Sequence, residues 1–151
     1  YDLVLRLLEA GHEIGVVPRR LVCWRDHPRR LTHNDDAYRI ERFTDAKAHF
    51  LVRGFLADTQ RYVLWGYGHT GRALRRALAK LGRHPTHVVE LHPGRLGQTI
   101  HGAPVVPPEA LASLPRSRLV ASVAGGAART LIREHLRGLG YRELHDFVCA
   151  A

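Results

Sequence analysis

The 151-residue sequence has no methionine, two cysteines and only 7% aromatic residues. Cys23 and Cys149 match no metal-binding or redox spacing, so two reduced thiols are expected. The scarcity of aromatic side chains argues against a stacking platform for single-stranded nucleic acid. No apolar run approaches the roughly 18 residues of a membrane span, and no charged-then-apolar leader is present at the start. We therefore expect a cytoplasmic protein without a membrane span. The missing initial methionine leads us to expect a chain that begins inside a longer protein.

Lysine is also scarce, because Lys47 and Lys80 are the only lysines among 23 basic residues. The formal net charge is +9, and it is unevenly distributed. Residues 1–59 carry 10 basic and 9 acidic side chains, whereas residues 60–151 carry 13 and 5. Arginine suits bidentate phosphate recognition, although genome base composition can produce the same bias. No recognition helix or RNA-binding motif is visible, so no nucleic-acid partner is expected, and nucleic-acid binding is kept only as a remote alternative.

The sequence contains one stretch, at positions 62–72, around which the rest can be arranged. Four apolar or aromatic residues precede a Gly-x-Gly-x-x-Gly motif, and an amphipathic run follows it, so the stretch predicts strand, tight turn and helix. Gly66 would allow the sharp turn, Gly68 would leave room for a phosphate, and Gly71 would let helix and strand pack closely. The helix N-terminus would then face an anion. The stretch is typical of a dinucleotide-binding unit, but a glycine turn that binds nothing is the alternative.

The rest of residues 60–151 fits the same interpretation. Glu90 lies in the apolar run 86–91, about 20 residues after the motif, where an acidic side chain can hold a ribose hydroxyl. A second glycine turn, Gly125-Gly126, follows the apolar strand 118–124. The alternation of strands and helices predicts an α/β fold, with a Rossmann-like parallel sheet flanked by helices and preceded by a mainly helical segment. The candidate cofactor-binding residues are Gly66, Gly68, His69, Thr70, Gly71, Glu90 and Gly125.

Several further elements are predicted along the chain. We expect a helix at 2–10, a short strand at 13–18, a connector helix within 37–59 whose aromatic stripe is packing surface, a short strand at 105–106, a brief helix from 108, a helix after 126 and a last strand within 141–149. In the helix after 126, the residues predicted to be buried are Ala128, Leu131, Ile132, Leu136 and Leu139.

The first 35 residues carry a more specific pattern, with Trp24, Arg25 and His27 in the run Leu-x-x-Trp-Arg-x-His. This pattern resembles the C-terminal end of the catalytic domain in family 2 glycosyltransferases, inverting GT-A enzymes that use nucleotide sugars. The resemblance implies that residues 1–36 are the remnant of such a domain, that 37–59 connect it to a Rossmann-like nucleotide-binding domain at 60–151, and that an upstream glycosyltransferase domain is a partner. It also implies that His27 completes a divalent-metal site with that missing domain; a surface histidine before a proline turn is the alternative. The fragment alone would be inactive as a transferase.

Residues 60–151 resemble the compact Rossmann-like domains of sugar-modifying proteins, in which an Asp is common at the position of His92. That resemblance implies NAD(P) or a nucleotide sugar as the small-molecule ligand and allows a homo-oligomer. Two functions remain. In the first, the domain is an appendage of a glycosyltransferase; in the second, it is an NAD(P)-binding oxidoreductase or redox-sensing domain. Candidates for proton transfer are His69, His92, His101 and Ser122, and no Tyr-x-x-x-Lys pair is present, so hydride chemistry is the less favoured reaction.

Overall fold

The structure is a computed structural model that describes residues 2–151, except for the side chains of Ala37 and Ile40. Its α-helices are α1 (Asp2–Glu9), α2 (Leu31–Asn34), α3 (Ile40–Arg53), α4 (His69–Lys80) and α5 (Gly126–Gly138). Its strands are β1 (Arg61–Trp65), β2 (His84–Val89), β3 (Thr99–Ile100), β4 (Ala103–Val106), β5 (Leu119–Ala121) and β6 (Phe147–Cys149). Short 3-10 helices lie at Asp36–Tyr38, Pro93–Arg95 and Pro108–Ala112.

The six strands form one sheet in the order β3-β4-β2-β1-β5-β6. All neighbouring pairs are parallel except β3 with β4, which are antiparallel. The predicted Rossmann-like fold is confirmed, and β3 is an addition at the edge. Its direction follows from its connection to β4, because His101 and Gly102, both at positive φ, form a two-residue turn. Such a turn can join only antiparallel strands, since a parallel pair needs a long crossover.

The two faces of the sheet bury separate apolar clusters, and alternate residues of β1 point into them. On one face, Tyr62 and Leu64 pack with α3 and α4; on the other, Val63 and Trp65 pack with α5. The chain leaves β1 toward β2 through α4, and leaves β5 toward β6 through α5. Strand order therefore reverses between β1 and β5, which is where doubly wound sheets bind ligands.

Helix α3, predicted as a connector, contributes to the same core as the sheet. Ala48 is fully buried in the cluster that also contains Leu74 and Leu78 of α4, and Leu56, just beyond the end of α3, is fully buried there too. Phe50 and Phe55 of the aromatic stripe line a small cavity beside the end of β6. The boundary between connector and nucleotide-binding domain at residues 59 and 60 stays a prediction.

Two local predictions need correction. Residues 13–18 form no strand, and these residues are exposed along their whole length. Leu131, predicted to be buried, is 66% exposed, whereas Ile132 and Leu136 are buried. The residues of α5 that face the sheet lie four apart, and Leu131 precedes that series by one position, about 100° around the helix. Among residues 2–151, no helix is long and apolar enough to cross a membrane.

A buried hydroxyl in β1 provides a test of the core. The Tyr62 side chain is fully buried, and its hydroxyl has no hydrogen-bond partner among the described residues. Burial also raises the pKa of Tyr62 well above its ordinary value, so the hydroxyl stays neutral. We expect Tyr62→Phe to raise the free energy of unfolding by about 1 kcal/mol, because it removes a desolvated polar group that makes no bond. Urea unfolding measures this, with Leu64→Ala as a control that should cost about 2–5 kcal/mol. A clear loss of stability in Tyr62→Phe would show that the hydroxyl is bonded.

Candidate functional site

The glycine motif lies where β1 ends and α4 begins, and its glycines differ in their surroundings. Gly66 has φ of +91°, and a Cβ there would collide with the Val123 side chain. At Gly71 a Cβ would collide with the carbonyl oxygen of Gly66. At Gly68 a Cβ would meet no atom within 4 Å. The first and third glycines are therefore required by the fold, whereas the space in front of Gly68 is open to a ligand.

Hydrogen bonds hold the loop at the switch between β1 and β5. The Gly66 N–H donates to the Val89 carbonyl at 2.9 Å, which continues the pairing of β1 with β2. The Ser122 N–H donates to the Trp65 carbonyl at 2.8 Å, and the Thr70 hydroxyl donates to the Ser122 carbonyl at 2.9 Å. Thr70 thus ties the first turn of α4 to the end of β5. No side chain caps the N-terminus of α4, so its first N–H groups remain available to an anion.

Glu90 lies at the end of β2, next to the loop, as predicted. One carboxylate oxygen, Oε2, accepts the Tyr67 N–H at 3.2 Å and Nη1 of Arg95 at 2.8 Å. The other, Oε1, accepts the Leu91 N–H at 2.9 Å. Arg95 also donates to the Tyr67 carbonyl at 3.0 Å. The carboxylate and the guanidinium together fasten the middle of the glycine loop to the segment after β2.

These contacts determine the charge of Glu90. Burial alone raises the pKa of its carboxyl group. Hydrogen bonds from the Leu91 and Tyr67 N–H groups and from Arg95 favour the carboxylate, and they bring the net pKa below the ordinary value. Glu90 is therefore an anion at neutral pH, able to accept hydrogen bonds from a ribose.

The second glycine turn lies at the same edge of the sheet. Gly125 has φ of +96° and immediately precedes α5, whose N-terminus also has no side-chain cap. A Cβ on Gly125 or Gly126 would meet no atom within 4 Å. Two helices thus begin beside the switch point, and the space in front of the glycine backbone at the start of each helix is open.

The four candidates for proton transfer are not gathered in one place. His69 is exposed at the start of α4, and Ser122 is buried at the end of β5. His92 caps the 3-10 helix after β2, where its Nδ1 accepts the Gly94 N–H at 3.2 Å. His101 lies between β3 and β4, before the start of β4, and so at the edge of the sheet opposite the glycine loop. As a candidate for proton transfer, His101 is therefore far from the glycine loop.

His27 lies in an exposed turn remote in sequence from the glycine loop. Among residues 2–151, no group of three or more His, Cys, Asp or Glu side chains could hold a metal ion. Nearby, Asp26 accepts from Arg30 and contacts His33 Nε2 at 2.8 Å. The described structure therefore offers His27 no partners for a divalent metal.

A cleft of about 680 Å³ lies between α1, α3 and α4, away from the glycine loop. Four of its charged side chains form two ion pairs, Arg6 with Asp2 at 2.7 Å and Arg53 with Glu9 at 2.5 Å, while Asp45 and Lys80 are in neither pair. The cleft is separate from the glycine loop and is not part of the candidate site.

Sequence reasoning missed Arg95 as a member of the site. It belongs to the turn at residues 93–97 that follows β2. The sequence could have indicated this, because Arg95 follows Glu90 by five positions and a Pro-Gly turn between them can bring the two side chains together.

The comparisons with known proteins concern the fold. No family model matches the chain, and no curated protein matches it. Two solved structures that it resembles are a crystal structure of RSP in complex with beta-NADH and a crystal structure of RSP, a Rex-family repressor. Both are 13% identical to this chain, with a TM-score of 0.50 over 67% of it. The matches cover 58% and 57% of those chains, so this chain spans less than two thirds of their length. At this identity the likeness shows the fold alone.

These findings overturn the main functional prediction. The assignment of residues 1–36 to a family 2 glycosyltransferase is wrong, because no family model or curated protein supports it and the structural neighbours are Rex-family chains. The predictions that depended on this assignment, transferase activity and an upstream glycosyltransferase domain as a partner, are wrong as well. Of the two functions left open by the sequence, the fold of these neighbours fits the alternative, an NAD(P)-binding oxidoreductase or redox-sensing domain, better than the glycosyltransferase prediction. The exclusion of nucleic acid as a partner was also wrong, since a structure with this fold is a repressor.

The glycine motif gives a stability prediction. We expect Gly71→Ala to lower the free energy of unfolding by roughly 1–3 kcal/mol or more, because the new methyl group forces α4 away from β1. Gly68→Ala is the matched control and should change stability by less than about 1 kcal/mol, since its Cβ enters open space. Thermal and urea unfolding of both variants measure the difference. Equal stability of the two variants would contradict the close approach of Gly71 to Gly66.

Glu90 gives a pH prediction. A carboxyl group whose native pKa is lowered stabilises the fold fully above its unfolded pKa of about 4.5, and that contribution is lost as pH falls through the native pKa. We expect Glu90→Gln to lower Tm by on the order of 2–4 °C at pH 7. The difference from the wild type should shrink below about pH 4.5. Thermal scans from pH 3 to 7 test this, and a pH-independent difference would show that the charge of Glu90 does not stabilise the loop.

Proposed function

We propose that residues 60–151 form a domain that binds NAD(H) and responds to its redox state. The single observation that carries the proposal is the open space at Gly68, in front of an uncapped helix N-terminus, with the Glu90 carboxylate beside it. The fold is also that of a protein solved in complex with beta-NADH, which supports the choice of ligand.

In this proposal each part of the site has one task. The diphosphate lies in front of Gly68 and accepts hydrogen bonds from the first N–H groups of α4. Glu90 accepts hydrogen bonds from the adenosine ribose. The far end of the dinucleotide passes the switch point toward Gly125 and the N-terminus of α5. His69 and Thr70 form the first turn of α4 beside the ligand, and the Thr70 hydroxyl fixes this helix to the end of β5.

The charge of Glu90 favours NAD(H) over NADP(H). A 2′-phosphate on the ribose would approach a carboxylate, and two anions at short distance in a partly dehydrated site repel each other. Arg95 lies beside Glu90 but is already bonded to it and to the Tyr67 carbonyl. Turning Arg95 toward a 2′-phosphate would break both bonds, so NADP(H) should bind more weakly.

The site supports sensing better than hydride transfer. An oxidoreductase needs an acid or base within hydrogen-bond reach of its substrate. Of the four candidates, His92 is turned into a backbone cap, His101 lies at the opposite edge of the sheet and Ser122 is buried, which leaves His69 as the exposed one at the loop. A sensor needs only that the two redox forms of the ligand bind with different affinity, because a ligand shifts a conformational equilibrium through its differential binding.

Calorimetric titration tests this function. The wild type should bind NADH, bind NADPH more weakly and bind a uridine diphosphate sugar not at all. Gly68→Val should abolish NADH binding, because its side chain fills the space the phosphates need, while the fold persists. The control is Gly138→Ala, on the exposed side of α5, which should bind NADH normally. Gly97 is unsuitable as a control because its φ of +77° would strain any other residue. Absence of NADH binding at millimolar concentration would mean that the glycine loop is only structural.

A further inference from the structure

Lys47 is a half-buried lysine outside residues 60–151, and it lies near the edge of the sheet that carries the glycine loop. Lys47 lies on α3, next to the fully buried Ala48, and lines a cavity of about 110 Å³. The opposite walls of that cavity include His69 and Thr70 from the first turn of α4 and Ser122 and Ala124 from the end of β5. The cavity is therefore continuous with the elements that build the candidate site.

The ammonium group of Lys47 has no acidic partner. No carboxylate of the described residues lies within 4.0 Å of its Nζ. Burial lowers the pKa of Lys47, and the positive charge of Arg129 on α5 lowers it further. Arg129 in turn donates to the backbone oxygen of Ala151 at 2.8 Å, and Ala151 also lines the cavity. No aspartate or glutamate lines the cavity.

This arrangement favours a bound anion. A partly desolvated cation beside a second cation raises the free energy of the empty site, and an anion lowers it through a charge-assisted hydrogen bond. The uncapped first turn of α4 adds N–H groups on the opposite wall. At about 110 Å³ the cavity is well below the roughly 300–1,000 Å³ of a whole-ligand pocket, so it suits one phosphate group of a larger molecule.

We propose that Lys47, carried by α3, contacts the diphosphate of the dinucleotide bound at the glycine loop. This inference rests on the proposed function, and it adds a residue from outside the Rossmann-like domain to the binding site. The Lys47 ammonium donates a hydrogen bond to a phosphate oxygen from the side opposite the α4 N–H groups. Helix α3 is then in direct contact with the ligand.

The chain offers a matched control, because Lys80 is its only other lysine. Lys80 is exposed near the end of α4 and lines the separate cleft next to α1. We expect Lys47→Gln to weaken NADH binding by about 10- to 100-fold in calorimetric titration, and Lys80→Gln to leave it unchanged. Lys47→Arg keeps the charge and should retain most of the affinity. Equal binding by the wild type and a folded Lys47→Gln variant would overturn the proposal.

A spectroscopic measurement on the wild-type chain covers the case in which Lys47→Gln fails to fold. Protein labelled with ¹³C and ¹⁵N in lysine shows two side-chain signals, and the Lys80→Gln variant assigns both because it removes one of them. NADH should shift the Lys47 signal and leave that of Lys80 in place, whereas adenosine, which lacks phosphate, should shift neither. An unmoved Lys47 signal at NADH saturation would rule out the contact.

Inorganic diphosphate separates this inference from the proposed function. If NADH does not bind but diphosphate shifts the Lys47 signal, the anion contact stands and the NAD(H) function fails. If NADH binds without moving Lys47, the function stands and the contact fails. If neither ligand affects the Lys47 signal and neither binds, both are wrong.

Discussion

The close approach of Gly71 to the carbonyl oxygen of Gly66 is the constraint on which the rest of the site depends. It brings the first turn of α4 directly against the end of β1, and no other residue type fits there. The Thr70 hydroxyl then reaches the Ser122 carbonyl at the end of β5. The Glu90 carboxylate reaches the Tyr67 N–H from the end of β2. Three parallel strands are thus joined through one turn, and the uncapped N–H groups of α4 are left facing outward from their shared edge.

Most of the fold could be predicted from the sequence, because its elements carry strong local signals. The strand before the glycines, the amphipathic helix after them and Glu90 all lie where their spacing indicated. The failures are of two physical kinds. Leu131 lies one position off the buried stripe of α5, a difference smaller than hydrophobic periodicity resolves. The strand expected at 13–18 did not form because these exposed residues have no strand to pair with among residues 2–151, and a pairing partner is not visible in a short local pattern.

The site was less predictable than the fold, because its remaining members are defined by contacts across the sheet. Arg95 belongs to the site only because the turn after β2 folds back onto the Tyr67 carbonyl. Lys47 was passed over because it lies within a helix interpreted as a connector. The glycosyltransferase assignment failed for a related reason. It depended on a short run of matching residue types around His27, and that run is exposed, with no metal-binding cluster in the part of the chain that is described.

Helix α3 links the core of the molecule to its ligand edge. Ala48 is fully buried against α4, so any displacement of α3 opens the core, while Lys47, one residue earlier, faces the cavity at the glycine loop. In the proposed contact, the phosphate holds the flexible Lys47 side chain in one conformation, while Ala48 fixes the backbone of α3 against the core. Because the two redox forms of NAD(H) carry the same diphosphate, this contact responds to the presence of a dinucleotide. A difference between the two forms has to arise at the nicotinamide end of the ligand, which the proposed function places toward Gly125.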